Sequence, residues 1–363
     1  MKKIFITAGI IIFTLLIGLF VIYIYDNDIS NNPHTVKVGL MLNGVKNDKS
    51  WCQSHYEGLS RTAEQLDLTI DCREYVTTDN IAAVIDELVE GGCEIIVANS
   101  FEFGDGVMAA AQKYPGIYFL HASGITSAKN VSSFFGRMYQ MRYLTGVAAG
   151  LQTKTNEIGY VAAFPISEVN RGINAFTLGV RSVNPEAKVY VRWINSWIGD
   201  DIAAGITSRL LNEHDIDVLS MHTDSVKPLK VADKMGVMTV GYHLDNSAEY
   251  PDTYLTAAVW DWEKFYTPNI TKCIQSKFQG EVYWDDIETG IVSMAPLSPK
   301  AEKDIAGAVA AAEKQLRSGS FDVFYGPITD NNGVLRAGEG ECMTDSALLN
   351  EMDWYVEGVV IDE

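Results

Sequence analysis

Short apolar runs alternate with amphipathic segments along most of the chain from residue 36 onward. The first run, VKVGLML at 36–42, contains β-branched residues, which is typical of a parallel strand buried on both faces. A helix is predicted further on by apolar residues at i, i+3, i+4 and i+7, which are Ile81, Val84, Ile85 and Leu88. Gly91 and Gly92 predict the end of that helix. This order of strand, turn and helix predicts an α/β fold.

Two series of such units follow one another. The first series adds predicted strands at 94–100, 116–123 and 130–135, with a helix at 106–114 between the first two. The second series contains predicted strands at 157–164, 188–195, 217–224 and 237–244, and one helix is lined by Ile202, Ile206 and Leu210. Strands that alternate with helices form parallel sheets with right-handed crossovers. The two series therefore predict two Rossmann-like lobes with doubly wound parallel sheets.

The order of the segments also predicts that the chain passes between the lobes more than once. TYLTAAVW at 253–260 is expected to return to the first lobe. The predicted N-terminal lobe therefore comprises 36–135 plus 253–300, and the predicted C-terminal lobe comprises 136–252 plus 301–363. Residues 26–35 are polar and contain Asn-Pro, which predicts a linker before the first lobe.

The first 25 residues predict a membrane anchor. Lys2 and Lys3 precede an apolar run from Ile4 to Tyr25, which is as long as a spanning helix requires and longer than the core of a signal peptide. Because the positive charges lie before the run, the binding domain is expected outside the cytoplasm. No cysteine near the run is available for a lipid, since the first one is Cys52. An uncleaved signal anchor at the cell membrane is therefore favoured over a cleaved signal peptide.

The net charge of −19 argues against binding to nucleic acid or to anionic membrane surfaces, because both require clustered Lys and Arg. The five cysteines show no metal-binding spacing and are interpreted as incidental thiols, although one disulfide outside the cell stays open. The sequence contains no phosphate-binding loop, no HExxH motif, no GxSxG elbow and no GxGxxG motif after a strand. It therefore predicts no catalytic residues, no cofactor and no metal site.

Candidate ligand-binding residues lie where strands end, because ligands of open α/β sheets bind beyond the carboxyl ends of the strands. Aromatic, acidic and polar side chains gather at these places: Asp48, Lys49, Ser50, Trp51, Phe101, Glu102, Trp197, Asp224, Asp245 and Trp260. A flat heteroaromatic ligand fits this mixture, because aromatic rings stack on its faces and carboxylates bind its edge donors. A sugar site also combines aromatic with acidic residues, so the residue types leave both ligands open.

Structural roles compete with binding at individual positions. A single Trp at a strand end more often packs in the core or between lobes, and Asp48 or Asp200 could be only a helix N-cap. His222 and His243 are expected to be hydrogen-bonded structural histidines. These roles explain poorly why the same residue types recur at seven or eight strand ends.

Longer stretches resemble the basic membrane protein family of ABC-transporter substrate-binding proteins, which includes the purine nucleoside receptors. The matching stretches are VGLMLNGVKNDKSW, YEGL (56–59), 135–165, NAFTLGVRSVNP (174–185), INSWIGD (194–200), 232–245 and DWYVEGVV (353–360). The resemblance implies a type I periplasmic-binding fold with three crossovers and a hinge that closes over the ligand. It further implies a monomer that delivers a purine base or nucleoside to ABC permease and ATPase subunits.

The resemblance also implies roles for four positions. Trp51, in the loop Asp48-Lys49-Ser50-Trp51-Cys52, matches the aromatic residue that stacks on the purine, although Cys52 replaces the usual Asn. Trp197 matches the second ring of the sandwich, and Asp245 matches an acidic residue that binds the ribose. Trp260 stands where nucleoside-binding members have a Lys for the ribose hydroxyls. The loss of that Lys favours a ligand without the sugar, such as adenine or another free purine base.

Two other functions are weighed against transport. The same binding domain, anchored by a helix, could serve as a ligand sensor that signals through a membrane partner, although only Met1, Lys2 and Lys3 would lie inside the cell. A hydrolase or phosphorylase of nucleosides is a third hypothesis, and the absence of catalytic motifs disfavours it. Transport is the main prediction.

Overall fold

A computed structural model describes residues 35–362. The first lobe begins with β1 (Lys37–Met41), α1 (Trp51–Leu66), β2 (Thr69–Arg73), α2 (Ile81–Glu90) and β3 (Ile95–Ala98). It continues with a 3₁₀ turn (Phe101–Phe103), α3 (Gly104–Lys113), β4 (Tyr118–Ala122) and β5 (Val131–Gly136). The predicted alternation of strands and helices in this region is confirmed.

The second lobe begins with α4 (Tyr139–Gln152), β6 (Glu157–Ala162), α5 (Ser167–Val183), β7 (Lys188–Trp193) and α6 (Asp200–Glu213). It continues with β8 (Val218–His222), α7 (Lys227–Met235), β9 (Met238–His243) and β10 (Tyr254–Trp260). The remaining elements are α8 (Glu263–Ile274), β11 (Val282–Asp285), β12 (Val292–Met294), α9 (Ile305–Arg317), β13 (Ile328–Thr329), β14 (Leu335–Ala337), α10 (Asp345–Asn350) and β15 (Val359–Ile361).

Each lobe is built on its own sheet. The first sheet has the order β11-β5-β4-β3-β1-β2, and its pairs are parallel. The second has the order β12-β10-β9-β8-β6-β7-β15, in which β12 is antiparallel to β10 and the other pairs are parallel. In both sheets the order reverses beside the first strand of the series, so the carboxyl ends of the central strands border a crevice. The prediction of two doubly wound lobes is confirmed.

The chain crosses between the lobes three times. It leaves the first lobe after β5, returns after β10 to form α8 and β11, and leaves again between β11 and β12. The assignment of 253–300 to the first lobe was wrong at both ends of that range, since β10 pairs with β9 and β12 pairs with β10 in the second sheet. A buried parallel strand has the same apolar pattern in either sheet, so only the pairing partner distinguishes the two lobes.

Helices α4 and α5 pack closely in the second lobe, and glycine allows this contact. A Cβ atom at Gly146 would lie 2.1 Å from the carbonyl oxygen of Phe176, and one at Gly179 would lie 2.1 Å from that of Tyr143. Both glycines belong to the stretches that carry the family resemblance. The first crossover therefore leads directly into the tightest helix pair of the second lobe.

The predicted anchor (1–25) and most of the linker (26–35) lie outside the described residues. Among residues 35–362, no helix combines the length and the apolar character that crossing a membrane requires. Within the same range the five cysteines are free thiols, and Cys342 is the exposed one.

Candidate functional site

A cavity lies between the lobes, at the carboxyl ends of β1, β3, β4, β8 and β9. The space between its walls, including the part open to solvent, is about 350 Å³. The residues that line it are Asn43, Trp51, Asn99, Ser100, Phe101, Ser123, Glu168, Trp197, His222, Asp224 and His243. Four predicted site residues therefore meet in one cavity: Trp51, Phe101, Trp197 and Asp224. Nothing in residues 35–362 groups three or more His, Cys, Asp or Glu side chains as a metal site.

Trp51 forms the wall on the first lobe. It begins α1 and is only 6% exposed, and its indole Nε1 donates a hydrogen bond of 2.7 Å to the carbonyl oxygen of Asn99. Its ring makes edge contacts with His55 and Trp262 at centroid distances of 4.3 and 5.4 Å. Across the cleft it also contacts His243 at 5.2 Å. The ring is therefore held rigidly with one part on the cavity.

Trp197 lies on the wall of the second lobe, in the loop after β7. Its side chain is half-buried, and its ring packs edge-on against Phe164 at 5.5 Å. Its carbonyl oxygen accepts hydrogen bonds from Asp224 N at 2.9 Å and from Thr223 Oγ1 at 2.8 Å. These bonds tie the loop to the end of β8, so Trp197 and Asp224 are positioned together.

Asp224 places a carboxyl group inside the cavity and is 5% exposed. Burial, followed by the nearby carboxylates Asp48 and Glu168, raises the pKa of Asp224 well above its ordinary value. The side chain of Asn43, on the opposite lobe, hydrogen-bonds to this carboxyl and opposes the rise in its pKa. A ligand N–H group that replaces lost water would favour the ionised form of Asp224.

Trp260 does not line this cavity but acts on it through His243. Its Nε1 donates to His243 Nδ1 at 3.1 Å, and an indole N–H can only donate. His243 therefore carries its proton on Nε2, which lies 3.2 Å from Asp224 Oδ1. Burial lowers the pKa of His243 well below its usual value, so the ring is neutral. The expectation that His243 is a hydrogen-bonded structural histidine is confirmed.

The loop before α1 holds the lobes together rather than lining the cavity. The carboxylate of Asp48 accepts backbone hydrogen bonds from Ser50, Cys52 and Gln53 at 2.8 to 3.0 Å, so it caps the start of α1 although Ser50 is the N-cap residue. Lys49 forms a salt bridge with Glu249 of the second lobe, and its carbonyl oxygen accepts from Asn246 Nδ2 at 3.3 Å. Ser50 is fully buried. The two lobes are thus in contact beside the cavity.

Glu102 and Asp245 are exposed and are not among the residues that line the cavity. Glu102 lies in the 3₁₀ turn beside Phe101, near enough to raise the pKa of Asp224 slightly. Asp245 accepts from Ser247 N at 2.9 Å in a local turn. The geometry gives no support to direct binding by these two carboxylates.

Glu168 and His222 were missed by the sequence analysis. Glu168 lies in the first turn of α5 and interacts with Ser123 of the other lobe, and burial raises the pKa of Glu168 to about 7. His222 is 3% exposed, and neither of its ring nitrogens has a hydrogen-bond partner among the described residues. The prediction that His222 is a hydrogen-bonded structural residue was therefore wrong. Its position at the end of β8 was the available signal.

Four of the eight non-glycine residues with positive φ angles in the described chain lie around the cleft. Lys49, Ser123, Asn195 and His243 have φ angles of 63°, 60°, 52° and 71°, in the left-handed region that non-glycine residues rarely adopt. Ser123 and His243 line the cavity directly. Such strain is typical of sites where the surrounding structure fixes a functional geometry.

Two α/β lobes, three crossovers and an aromatic cavity between the lobes define a two-lobed solute-binding protein. A solute-binding protein of an ABC transporter from Aeropyrum pernix has the same fold, with a TM-score of 0.70 and 15% identity over 79% of this chain and 92% of that one.

The chain belongs to the family described as ABC transporter substrate-binding protein PnrA-like, whose model matches residues 35–319. The resemblance stated from the sequence is thereby confirmed. A protein of Haloferax volcanii, named as a glucose-binding protein of an ABC transporter, is 35% identical over 86% of this chain and 77% of its own length. A purine-binding protein of Brucella abortus is 32% identical over 89% of this chain and 93% of its own. The family is one of solute-binding proteins, whose binding domains work outside the cytoplasm.

Proposed function

We propose that this protein captures a purine, as the free base, between its lobes and delivers it to the permease and ATPase of an ABC importer. The observation that carries the proposal is the cavity that joins Trp51, Phe101 and Trp197 with the carboxyl groups of Asp224 and Glu168. Aromatic rings contribute about 1–3 kcal/mol for each stacked base, and carboxylates accept the N–H donors at its edges. The protein binds its ligand without chemical change.

The charge of the cavity favours a neutral ligand. Among the described residues that line it, none is Lys or Arg, whereas two carry carboxyl groups. A phosphate group would meet these carboxyl groups without a cation in direct contact, and burying an unpaired charge is costly. Nucleotides are therefore disfavoured relative to bases.

The surroundings of Trp260 favour the base over the nucleoside. This residue replaces the Lys that the resemblance assigns to the ribose hydroxyls, and it is 5% exposed. Its ring stacks on Trp262 at 4.3 Å and its N–H is bonded to His243. The Trp260 indole fills the space that a sugar would need. It also stands in place of the Lys side chain that would bind the ribose hydroxyls. Asp245, the other residue assigned to the ribose, is exposed and bonded to its own turn.

A predicted helix at 1–25 would tether the binding domain to the outer face of the membrane, close to the permease. Tethering raises the effective concentration of the domain near its transporter. A single binding domain per chain is sufficient for this role, and we expect the protein to act as a monomer.

Calorimetric titration of the full chain with a purine base, its nucleoside and glucose tests the proposal. We expect the base to bind at least about tenfold more tightly than the nucleoside. Tighter binding of the nucleoside would refute the preference for the base. Binding of glucose alone, the sugar named for the Haloferax volcanii relative, would refute the purine assignment.

A further inference from the structure

Arg142, on α4, is a buried cation that the described structure leaves incompletely paired. Its side chain is fully buried, and Nη1 donates a hydrogen bond of 2.8 Å to the carbonyl oxygen of Met221. The guanidinium carbon lies 3.6 Å from the ring centroid of Tyr242. Nε and Nη2 have no hydrogen-bond partner among residues 35–362. Buried guanidinium groups are normally bonded to an acceptor, so two free donors in one plane call for a partner.

Arg142 lines a small compartment that adjoins the aromatic cavity. Its lining residues include Arg142, Glu168, Arg171, His222 and Tyr242. Glu168 and His222 also line the aromatic cavity. A ligand stacked in the aromatic cavity can therefore extend one edge toward Arg142.

Within the described part of the chain, no carboxylate forms a salt bridge with Arg142 or Arg171. Arg171 is 4% exposed, and its Nη1 is bonded to the carbonyl oxygen of Leu348 at 2.7 Å. Glu168 interacts with both guanidinium groups over a longer distance. Among the described residues, neither guanidinium is matched by a carboxylate in direct contact, so the compartment favours a neutral ligand edge that carries hydrogen-bond acceptors.

We propose, on the basis of the function proposed above, that the ligand is a 6-oxopurine whose carbonyl oxygen and N7 both accept from Arg142 Nε and Nη2. The two acceptors of an oxopurine lie side by side, which matches the spacing of the guanidinium fork. The N–H donors of the same ring then face the carboxyl groups of Glu168 and Asp224. The neutral imidazole of His222 has one donor and one acceptor nitrogen, and it can bind the remaining polar groups at the edge of the purine ring.

Adenine fits this arrangement poorly. It presents N7 as an acceptor but an amino donor beside it, so one arm of the guanidinium would meet a donor. A ligand that leaves a buried donor of the site unpaired binds more weakly than one that accepts a hydrogen bond from it. The guanidinium of Arg142 therefore distinguishes a carbonyl oxygen from an amino group at C6 of the purine ring.

Wild-type protein and three ligands test the inference without any variant. Hypoxanthine has both acceptors, 7-deazahypoxanthine lacks N7, and adenine replaces the oxygen by an amino group. We expect hypoxanthine to bind roughly 5- to 150-fold more tightly than either analogue, as one bidentate pair provides. Adenine binding as tightly as hypoxanthine would overturn the inference, and so would tighter binding of inosine 5′-monophosphate.

Arg142→Lys keeps the charge but removes the fork. We expect this variant to lose most of its preference for hypoxanthine, while its affinity for adenine changes less than about threefold. Arg192→Lys is the matched control, because Arg192 is also buried in the same lobe but is paired with Glu213 and Asp362, away from the cleft.

The two proposals fail in different ways. If no purine binds to wild-type protein, both fall. If purines bind and the substituent at C6 makes no difference, only the oxopurine inference falls. If Arg142→Lys does not fold, the ligand series on wild-type protein still decides.

Discussion

The two tryptophans of the cleft are held by very different surroundings. Trp51 is packed among rings of both lobes, and its N–H is bonded to Asn99. Trp197 is half-buried and, within residues 35–362, has one ring contact, with Phe164. The wall around Trp51 is an extension of the hydrophobic core, whereas Trp197 stands on a loop beside polar groups.

The polar groups of the second lobe deepen the contrast. His222 and Arg142 bring to the cleft nitrogen atoms that have no partner in the described structure. Buried polar atoms without partners destabilise a protein by about 1–3 kcal/mol each unless something binds them. We infer that the first lobe gives the cleft its shape and that the second lobe selects the ligand.

Trp51→Ala should show the largest effect, because it removes a ring that serves both folding and binding. We expect the free energy of unfolding in urea to fall by about 3–5 kcal/mol, as for other buried Trp residues. Trp51→Phe is the control, since it retains an aromatic ring while it loses the hydrogen bond to Asn99 and part of the indole's packing. If the unfolding free energy of Trp51→Ala were close to that of wild type, the conclusion that Trp51 is part of the hydrophobic core while Trp197 is not would be contradicted.

Trp197→Ala should weaken ligand binding with little effect on stability. Loss of one stacking surface is expected to reduce purine affinity by about 1–3 kcal/mol in calorimetric titration. The change in unfolding free energy should stay below about 1 kcal/mol, because the side chain is half-buried. Trp193→Ala, at another half-buried position of the same lobe but outside the cavity, should leave affinity unchanged. Equal losses of affinity in both variants would contradict the assignment.

The Glu168→Gln variant tests the buried polar groups of the second lobe through the pH dependence of the free energy of unfolding. The pKa of Glu168 is about 7 in the folded protein, above the ordinary value of 4.5, so the folded state keeps a proton that the unfolded chain releases. The stability that Glu168 contributes is therefore present at acid pH and is lost as pH rises toward 7. Glutamine does not titrate, so this variant should gain about 1–3 kcal/mol relative to wild type between pH 4 and pH 8.

Urea unfolding of both proteins across that pH range measures the gain. Subtracting the wild-type curve removes the titration of all other groups that the two proteins share. A difference between the two proteins that does not change with pH would show that the folded environment leaves Glu168 unperturbed.

The alternation of apolar runs and helical periodicity was sufficient to predict the two parallel-sheet lobes. It was also sufficient to place Trp51, Phe101, Trp197 and Asp224 near one another, because the carboxyl ends of neighbouring parallel strands share an edge. These features depend on the burial of each residue and on its distance from a strand end. Both can be read from a single chain.

Pairing between distant segments was decided only by the tertiary structure. The same pattern in β10 fits either sheet, and the pairing with β9 placed it in the second. Likewise, His222 and His243 are each the last residue of a buried strand, yet within the described residues only His243 accepts a hydrogen bond from an indole N–H. Hydrogen-bond partners come from residues far apart in sequence, so the unpaired donors of Arg142 and His222 become visible only when the whole chain is folded around them.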